Sequence, residues 1–312
     1  MRAGINTLKQ KSNVVFLIQD QMQQQVIKEE SGCIMPNLQS LIKDSMLFDR
    51  AYTCNAICSP SRASLLTGTL PHTHGMVDCT HTVPPYRAEF DDSLDTLTQA
   101  FSDEGYNVSY YGKWHIERTH NLNKFGIDNF ETELHIPNFP VTVENRVSVS
   151  KPGYQEKMLS GVFQEDVAHT EEHYIYEKAI KNIESQVEKD QPFCTFISTY
   201  APHDPYCVPQ EIYDMYEGKT LELPLSFNDN MQDKPAIYQR MQDTLSSLSE
   251  EDFIEIKRCY YSYCTLVDMQ IGKLIGYLKE KEIYDDTMIV CMSDHGDMMG
   301  AHRMLTKSVE AF

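Results

Sequence analysis

Apolar positions along this chain alternate between two spacings. Asn13–Ile18 is continuously apolar after its first residue and flanked by polar ones, which reads as a strand buried on both faces. Pro36–Asp44 reads as a short helix and Met46–Tyr52 as a second strand. Ser93–Glu104 is amphipathic at helical spacing and closes on Gly105, a residue suited to the left-handed position after a helix. Asn107–Tyr111, Phe193–Thr199 and Thr287–Met292 are further β-rich apolar runs. Between the last two, Phe253, Ile256, Tyr260, Cys264, Val267, Ile271, Ile275 and Leu278 keep a helical period across Ser249–Lys281, predicting one long helix. Strands alternating with helices predict an α/β fold with a mostly parallel central sheet flanked by helices. No internal repeat or low-complexity tract interrupts it.

The stretch Thr119–Gln164 departs from both spacings. It carries several prolines, few periodic apolar residues and many Asn and Val, which reads as an insertion or lid, or as an ordinary irregular connection. On α/β sheets such segments border the ligand crevice at the carboxyl ends of the strands.

Composition narrows the class. The chain has 312 residues, long enough for one large core, and is 41% hydrophobic and 23% charged, as soluble globular proteins are. Lys and Arg total 27 against 46 Asp and Glu, a net charge of −19 that repels nucleic acid and anionic membranes and disfavours both as partners. An anionic substrate would therefore need a locally positive site; the plainer role of the charge is solubility. Met1–Lys11 lacks an apolar leader core, and no run reaches the length of a membrane span. The nine cysteines are odd in number and irregularly spaced, with Cys194, Cys259 and Cys291 inside apolar runs, which predicts reduced thiols in a cytoplasmic protein. Cys54 and Cys58 lie close together, but no second pair completes a zinc site in sequence.

Five polar clusters fall where α/β folds place functional groups, at strand ends and at a helix start: Asp20-Gln21, Cys58-Ser-Pro-Ser-Arg62, Gly112-Lys-Trp-His115, Pro202-His-Asp-Pro205 and Ser293-Asp-His-Gly296. One such cluster is usually a cap or a turn; five carrying metal-ligand, cationic and acid–base residues point to a site. Pro60 suits a first helical turn, where its missing N–H costs nothing. Cys58 then sits at a helix N-terminus that favours an anion, with Arg62 one turn on and on the same side. Read alone, this is also what a low-pKa structural thiol would look like.

The run Cys58-Ser-Pro-Ser-Arg62 followed by Leu66, Thr67 and Gly68 resembles the signature of the sulfatases, within the alkaline-phosphatase-like superfamily. The resemblance extends from Asn13 to Lys307 and includes the other four clusters in the family's order. It implies that Cys58 is oxidised to formylglycine by a formylglycine-generating maturation enzyme, and that its hydrated aldehyde attacks sulfur. Asp20, Gln21, Asp294 and His295, with the modified Cys58, resemble the ligands of one divalent cation, usually calcium; the imidazole of His295 would also suit magnesium or manganese. Lys113 and Lys307 resemble the lysines that hold the sulfate, His115 the histidine beside the nucleophile, and His203 the acid that protonates the leaving alcohol. The implied reaction is hydrolysis of a small-molecule or glycan sulfate ester to an alcohol and sulfate. The alternatives are a phosphonate or phosphate ester hydrolase using the same groups, and a truncated, non-catalytic relative that binds anions or a partner.

Two positions depart from the family's usual pattern: Thr69 stands where Arg or Lys is common after Thr-Gly, and Gln21 where a second aspartate is more frequent. Family members also ordinarily continue beyond the Lys307 region into a smaller C-terminal subdomain. With Phe312 so close, the expectation is a truncated chain forming a single sulfatase-like catalytic domain over 1–312, without that subdomain. His72 and His74 read as turn residues after the signature helix; His81, His120, His135, His169 and His173, with no motif around them, read as structural or surface residues.

Overall fold

The computed structural model describes residues 11–84, 90, 93–118, 121–150 and 155–307. The elements run β1 (Asn13–Gln19), α1 (Pro36–Lys43), α2 (Cys58–Thr67), the single turn α3 (Pro71–His74), α4 (Leu97–Asp103), β2 (Asn107–Gly112), β3 (Asn129–Thr132) and β4 (Glu144–Val149). They continue with β5 (Lys157–Phe163), α5 (Glu171–Glu188), β6 (Phe193–Thr199), β7 (Tyr206–Pro209), the single turn α6 (Gln210–Tyr213), α7 (Ala236–Thr244), α8 (Glu250–Glu280) and β8 (Thr287–Ser293).

Five strands form the main sheet in the order β3-β2-β6-β1-β8. Every pairing in it is parallel, with Val14 opposite Cys194 on one side of β1 and Met288 on the other. This is the predicted α/β arrangement, and β1, flanked on both sides, is buried along nearly its whole length. Side chains alternate across a strand, so β1 feeds two cores. Val15 and Leu17 face one that includes Ile175, Tyr176, Ala179 and Ile183 of α5 and the buried stripe of α8. Val14, Phe16 and Ile18 face the other, with Ala63 and Leu66 of α2 and the partly buried Phe101 of α4.

Local chemistry sets the helix ends. α8 is the long helix the periodicity predicts, and Ser249 opens it with a capping box: its hydroxyl accepts from the Asp252 N–H, and Asp252 accepts from the Ser249 N–H. α1 has no cap of its own. The buried carboxylate of Asp268, from α8, accepts from the Asn37 and Leu38 N–H groups instead, locking the two helices together. α4 starts later than expected, because Thr96 rather than Ser93 caps it by accepting from the Gln99 N–H; Gly105 takes the left-handed conformation as expected.

One stretch corrects the sequence reading. Met46–Tyr52 is not a strand but an irregular exposed segment, with Met46 81% and Tyr52 89% exposed. The apolar run matches strand composition, but among the described residues no strand pairs with it to take its backbone hydrogen bonds. The described residues of 119–164 include regular strands. Of these, β3 extends the main sheet, while β4 and β5 pair antiparallel and β7 adds parallel to β5, giving a second, three-stranded sheet. Leu122, Phe125, Leu159 and Val162 of this stretch are core residues. His120 and residues 1–10, both given sequence readings, lie outside the described residues. Among the described residues, no helix is long and apolar enough to cross a membrane.

Candidate active site

The carboxyl ends of β1, β2, β6 and β8 converge on the N-terminus of α2. Asp20 follows β1, Lys113 follows β2, Asp294 and His295 follow β8, and Cys58 is the first residue of α2. One donor atom from each of Asp20, Cys58, Asp294 and His295 lies within 4.8 Å of the others, and all four residues are buried. Ser61 fastens the first turn of α2 to this edge, its hydroxyl donating to the Asp294 carbonyl at 2.6 Å.

Arg62 ties the carboxylates together. Its Nε lies 2.8 Å from Asp294 and its Nη2 3.2 Å from Asp20, while Nη1 donates to the Lys113 carbonyl and the Ser198 hydroxyl. Lys113 forms a second ion pair with Asp20, and its Nζ also lies 3.6 Å from the Cys58 sulfur. Burial alone would raise the Asp20 pKa, but Lys113 and Arg62, then His203 and His295, hold it well below the usual carboxylate range. For Arg62, burial works against the charge, and Asp294 and Asp20 more than compensate, so it stays protonated. Within a chain of net charge −19, two cations thus balance the two carboxylates at this edge.

The His295 ring reveals its tautomer. Nδ1 lies 3.0 Å from the Gly296 carbonyl, which can only accept, so Nδ1 carries the proton. Nε2 then faces Cys58 Sγ, 3.3 Å away, and Asp20 Oδ1, 3.5 Å away. Two carboxylates, an imidazole nitrogen and the residue-58 side chain suit a divalent cation, with Arg62 and Lys113 offsetting the carboxylate charge while no cation is bound.

The other expected residues divide into two groups. His203 and Lys307 meet each other, Nζ against Nε2, and Lys307 also donates to Gln21 Oε1 at 2.7 Å. The amide nitrogen of Gln21 donates to carboxylates outside that cluster, Asp297 at 2.5 Å and Asp204 at 3.3 Å, and lies 3.4 Å from the Tyr206 hydroxyl; its backbone N–H donates to Asp294, at 3.1 Å. His115 stands further round, and its hydrogen-bonding contacts among the described residues are with Cys79 and His81. Burial first, then the charges of Lys113 and Arg62, push its pKa down to about 2, so the ring is neutral.

Several site residues gave no usable sequence signal. Asp297, three residues after Asp294, accepts from Gln21, from the Tyr206 hydroxyl and from the Met299 N–H, and burial raises its pKa to about 6. Glu133 receives the backbone N–H groups of Trp114 and His115 at 2.7 and 3.0 Å, which fixes the loop after β2. His74 is buried and braces α2 through Ser64, in keeping with a turn-shaping role. His135 and His173 bond to Thr132 and Lys273, away from the site.

A parallel sheet whose strand ends gather carboxylates, an imidazole and a helix-capping cysteine among buried cations defines the alkaline-phosphatase-like class. The sulfatase family profile matches residues 12–310, and the chain belongs to that family. It is similar to the uncharacterized sulfatase YidJ of Escherichia coli, 26% identical over 96% of this chain and 60% of that protein. It is similar also to the choline-sulfatase of Rhizobium meliloti, 26% identical over 93% of this chain and 58% of the relative. Among solved structures, the phosphonate monoester hydrolase of Silicibacter pomeroyi superposes with a TM-score of 0.74 at 22% identity, over 95% of this chain and 64% of that one. The chain thus spans about three fifths of the length of these proteins.

Proposed function

We propose that this chain carries the catalytic centre of a sulfatase that hydrolyses a sulfate monoester, R–O–SO₃⁻, to an alcohol and sulfate. The observation that carries the reading is Cys58 at the start of α2, its sulfur 3.3 Å from His295 Nε2 and 3.6 Å from Lys113 Nζ beside two buried carboxylates. A nucleophile converted from Cys58 to formylglycine lies where the helix terminus and Lys113 favour developing negative charge.

Asp20, Asp294 and His295, with Gln21 and the modified residue 58, would hold one divalent cation. Calcium suits the oxygen donors, and the His295 nitrogen also admits magnesium or manganese. When bound, the ion orients the ester anion and makes the nucleophile's hydroxyl more acidic. Lys113 and Lys307 bind sulfate oxygens, and His203 gives the leaving alkoxide its proton. His115, held neutral, would assist the release of sulfate beside the nucleophile. A small-molecule or glycan sulfate ester is the proposed substrate, on the likeness to a choline-sulfatase. All nine cysteines are free, which supports a reducing, cytoplasmic setting.

The likeness in fold to a phosphonate monoester hydrolase favours one competing reading, in which the same cations receive a phosphonate. Side-by-side hydrolysis of an aryl sulfate and an aryl phosphonate by matured protein separates the two. The proposal expects the higher kcat/KM for the sulfate; a clear preference for the phosphonate would reverse it.

A further inference from the structure

A second set of metal-ligating side chains lies outside the carboxylate cluster. Cys79 and His81 sit on the turn that follows α3, closed by the Thr82 N–H donating to the Cys79 carbonyl at 3.0 Å. His115 reaches them from the loop after β2, in a left-handed conformation with φ of 49° and its N–H held by Glu133. His81 Nδ1 and His115 Nε2 are 3.3 Å apart; Cys79 Sγ lies 3.4 Å from the first and 3.6 Å from the second.

These spacings form a recognisable triangle. A tetrahedral ion with metal–nitrogen bonds of about 2.0–2.1 Å and a metal–sulfur bond of about 2.3 Å sets two nitrogens about 3.3 Å apart and nitrogen and sulfur about 3.6 Å apart. The two imidazoles are nearly parallel, at 10°, with centroids 5.4 Å apart although the nitrogens are only 3.3 Å apart. They therefore meet edge to edge with the nitrogens innermost, as rings converging on one ion do. Face-to-face stacking would bring the centroids much closer. The exposed His81 gives an ion a path from solvent, and Cys79 closes the inner side.

We propose that Cys79, His81 and His115 form a site for a zinc-type transition-metal ion, separate from the carboxylate cluster and leaving the fourth position open. One thiolate and two imidazoles select a borderline-soft ion over calcium, so the two clusters sort cations by donor type. Binding takes up the lone pair of His115 Nε2. Insofar as the sulfatase reading of His115 holds, zinc would then suppress turnover without touching the carboxylates.

The test is spectroscopic and needs no catalysis. Co2+ is titrated into the full chain with excess calcium present to occupy the carboxylate cluster, in wild type and in the Cys58→Ser, Cys79→Ser and His81→Ala variants. The proposal expects one equivalent with a thiolate-to-cobalt charge-transfer band and intense tetrahedral bands, displaced by Zn2+. The spectrum should persist in Cys58→Ser and lose its charge-transfer band in Cys79→Ser. His81→Ala, a change at an exposed position that leaves the fold intact, should weaken binding by roughly tenfold or more, since even outer-shell partners carry that much. Absence of the band in wild type, its survival in Cys79→Ser, its loss in Cys58→Ser, or unchanged affinity in His81→Ala would each overturn the assignment.

Discussion

His203 shows how one side chain can be tested for chemistry rather than binding. Its Nδ1 lies 2.6 Å from the Asp204 carbonyl, so Nδ1 donates there and Nε2 is left facing Lys307. A general acid matters most when the departing alcohol is poorly acidic. His203→Ala should slow an alkyl or sugar sulfate by roughly a hundredfold or more and a nitrophenyl sulfate far less. Lys307→Ala, which would remove the proposed sulfate contact, should slow both alike. Equal losses for both leaving groups in His203→Ala would make that histidine a binding residue. Glu172 supports a pH prediction away from the site. Burial first, then Glu171, raises its pKa to about 7, while the Ala201 N–H and the Tyr263 hydroxyl donate to it. The folded state thus holds a proton that the unfolded state releases near the ordinary carboxylate pKa. The contribution is full below that value and is lost as pH rises through about 7. Glu172→Gln should flatten this slope and gain about 3–4 kcal/mol relative to wild type above pH 8, on about 1.4 kcal/mol per pKa unit. Parallel slopes in denaturant melts from pH 5 to 8 would contradict it.

Single residues also mark what a sequence displays and what it hides. Asp20, Cys58, Arg62, Lys113, Asp294 and His295 were legible because each sits in a short motif after a strand or at a helix start, and the parallel sheet gathers those ends. Asp297, Tyr206 and the Cys79–His81–His115 triangle were not legible. Their chemistry depends on chain segments that are far apart in sequence and meet only on folding.

At the scale of elements, β2 and the loop after it aim Lys113 and His115. Gly112 makes the turn with φ of 99°, and a Cβ there would lie 1.9 Å from the Ser198 carbonyl oxygen. That oxygen accepts the Lys113 N–H at 2.8 Å, so relief means pulling β2 from β6 at the site. Gly112→Ala should cost several kcal/mol, in the range of strained backbone combined with overpacking, and should remove turnover. A thermal melt within a degree or two of wild type would show that the backbone yields cheaply. The elements also show the limits of periodicity. α8 was legible to within a residue at each end, because its stripe and its cap agree. Met46–Tyr52 had strand composition, yet strand formation depends on a neighbouring edge that composition does not report. In 119–164, short strands of four to seven residues lay among prolines and left no clear period.

For the whole molecule, the proposed substrate is an anionic ester while the chain carries a net charge of −19. The offset would be local: Arg62 of α2 and Lys113 after β2 pair with two carboxylates at one sheet edge, and Lys307 bonds to Gln21 beside them. Binding a cation there should stabilise the fold, by about 2.7 kcal/mol at a hundred times the dissociation constant. The thermal midpoint should rise with calcium, magnesium or manganese and not in Asp294→Ala; the same rise in that variant would refute the ligand assignment.

The proposed activity depends on Cys58, and the most direct test is the mass of its tryptic peptide from protein that hydrolyses a sulfate ester, produced together with a formylglycine-generating enzyme. The expected result is the mass of an aldehyde in place of the thiol, in a proportion that tracks specific activity across preparations. An active preparation in which every Cys58 peptide retains the unmodified thiol mass would contradict it.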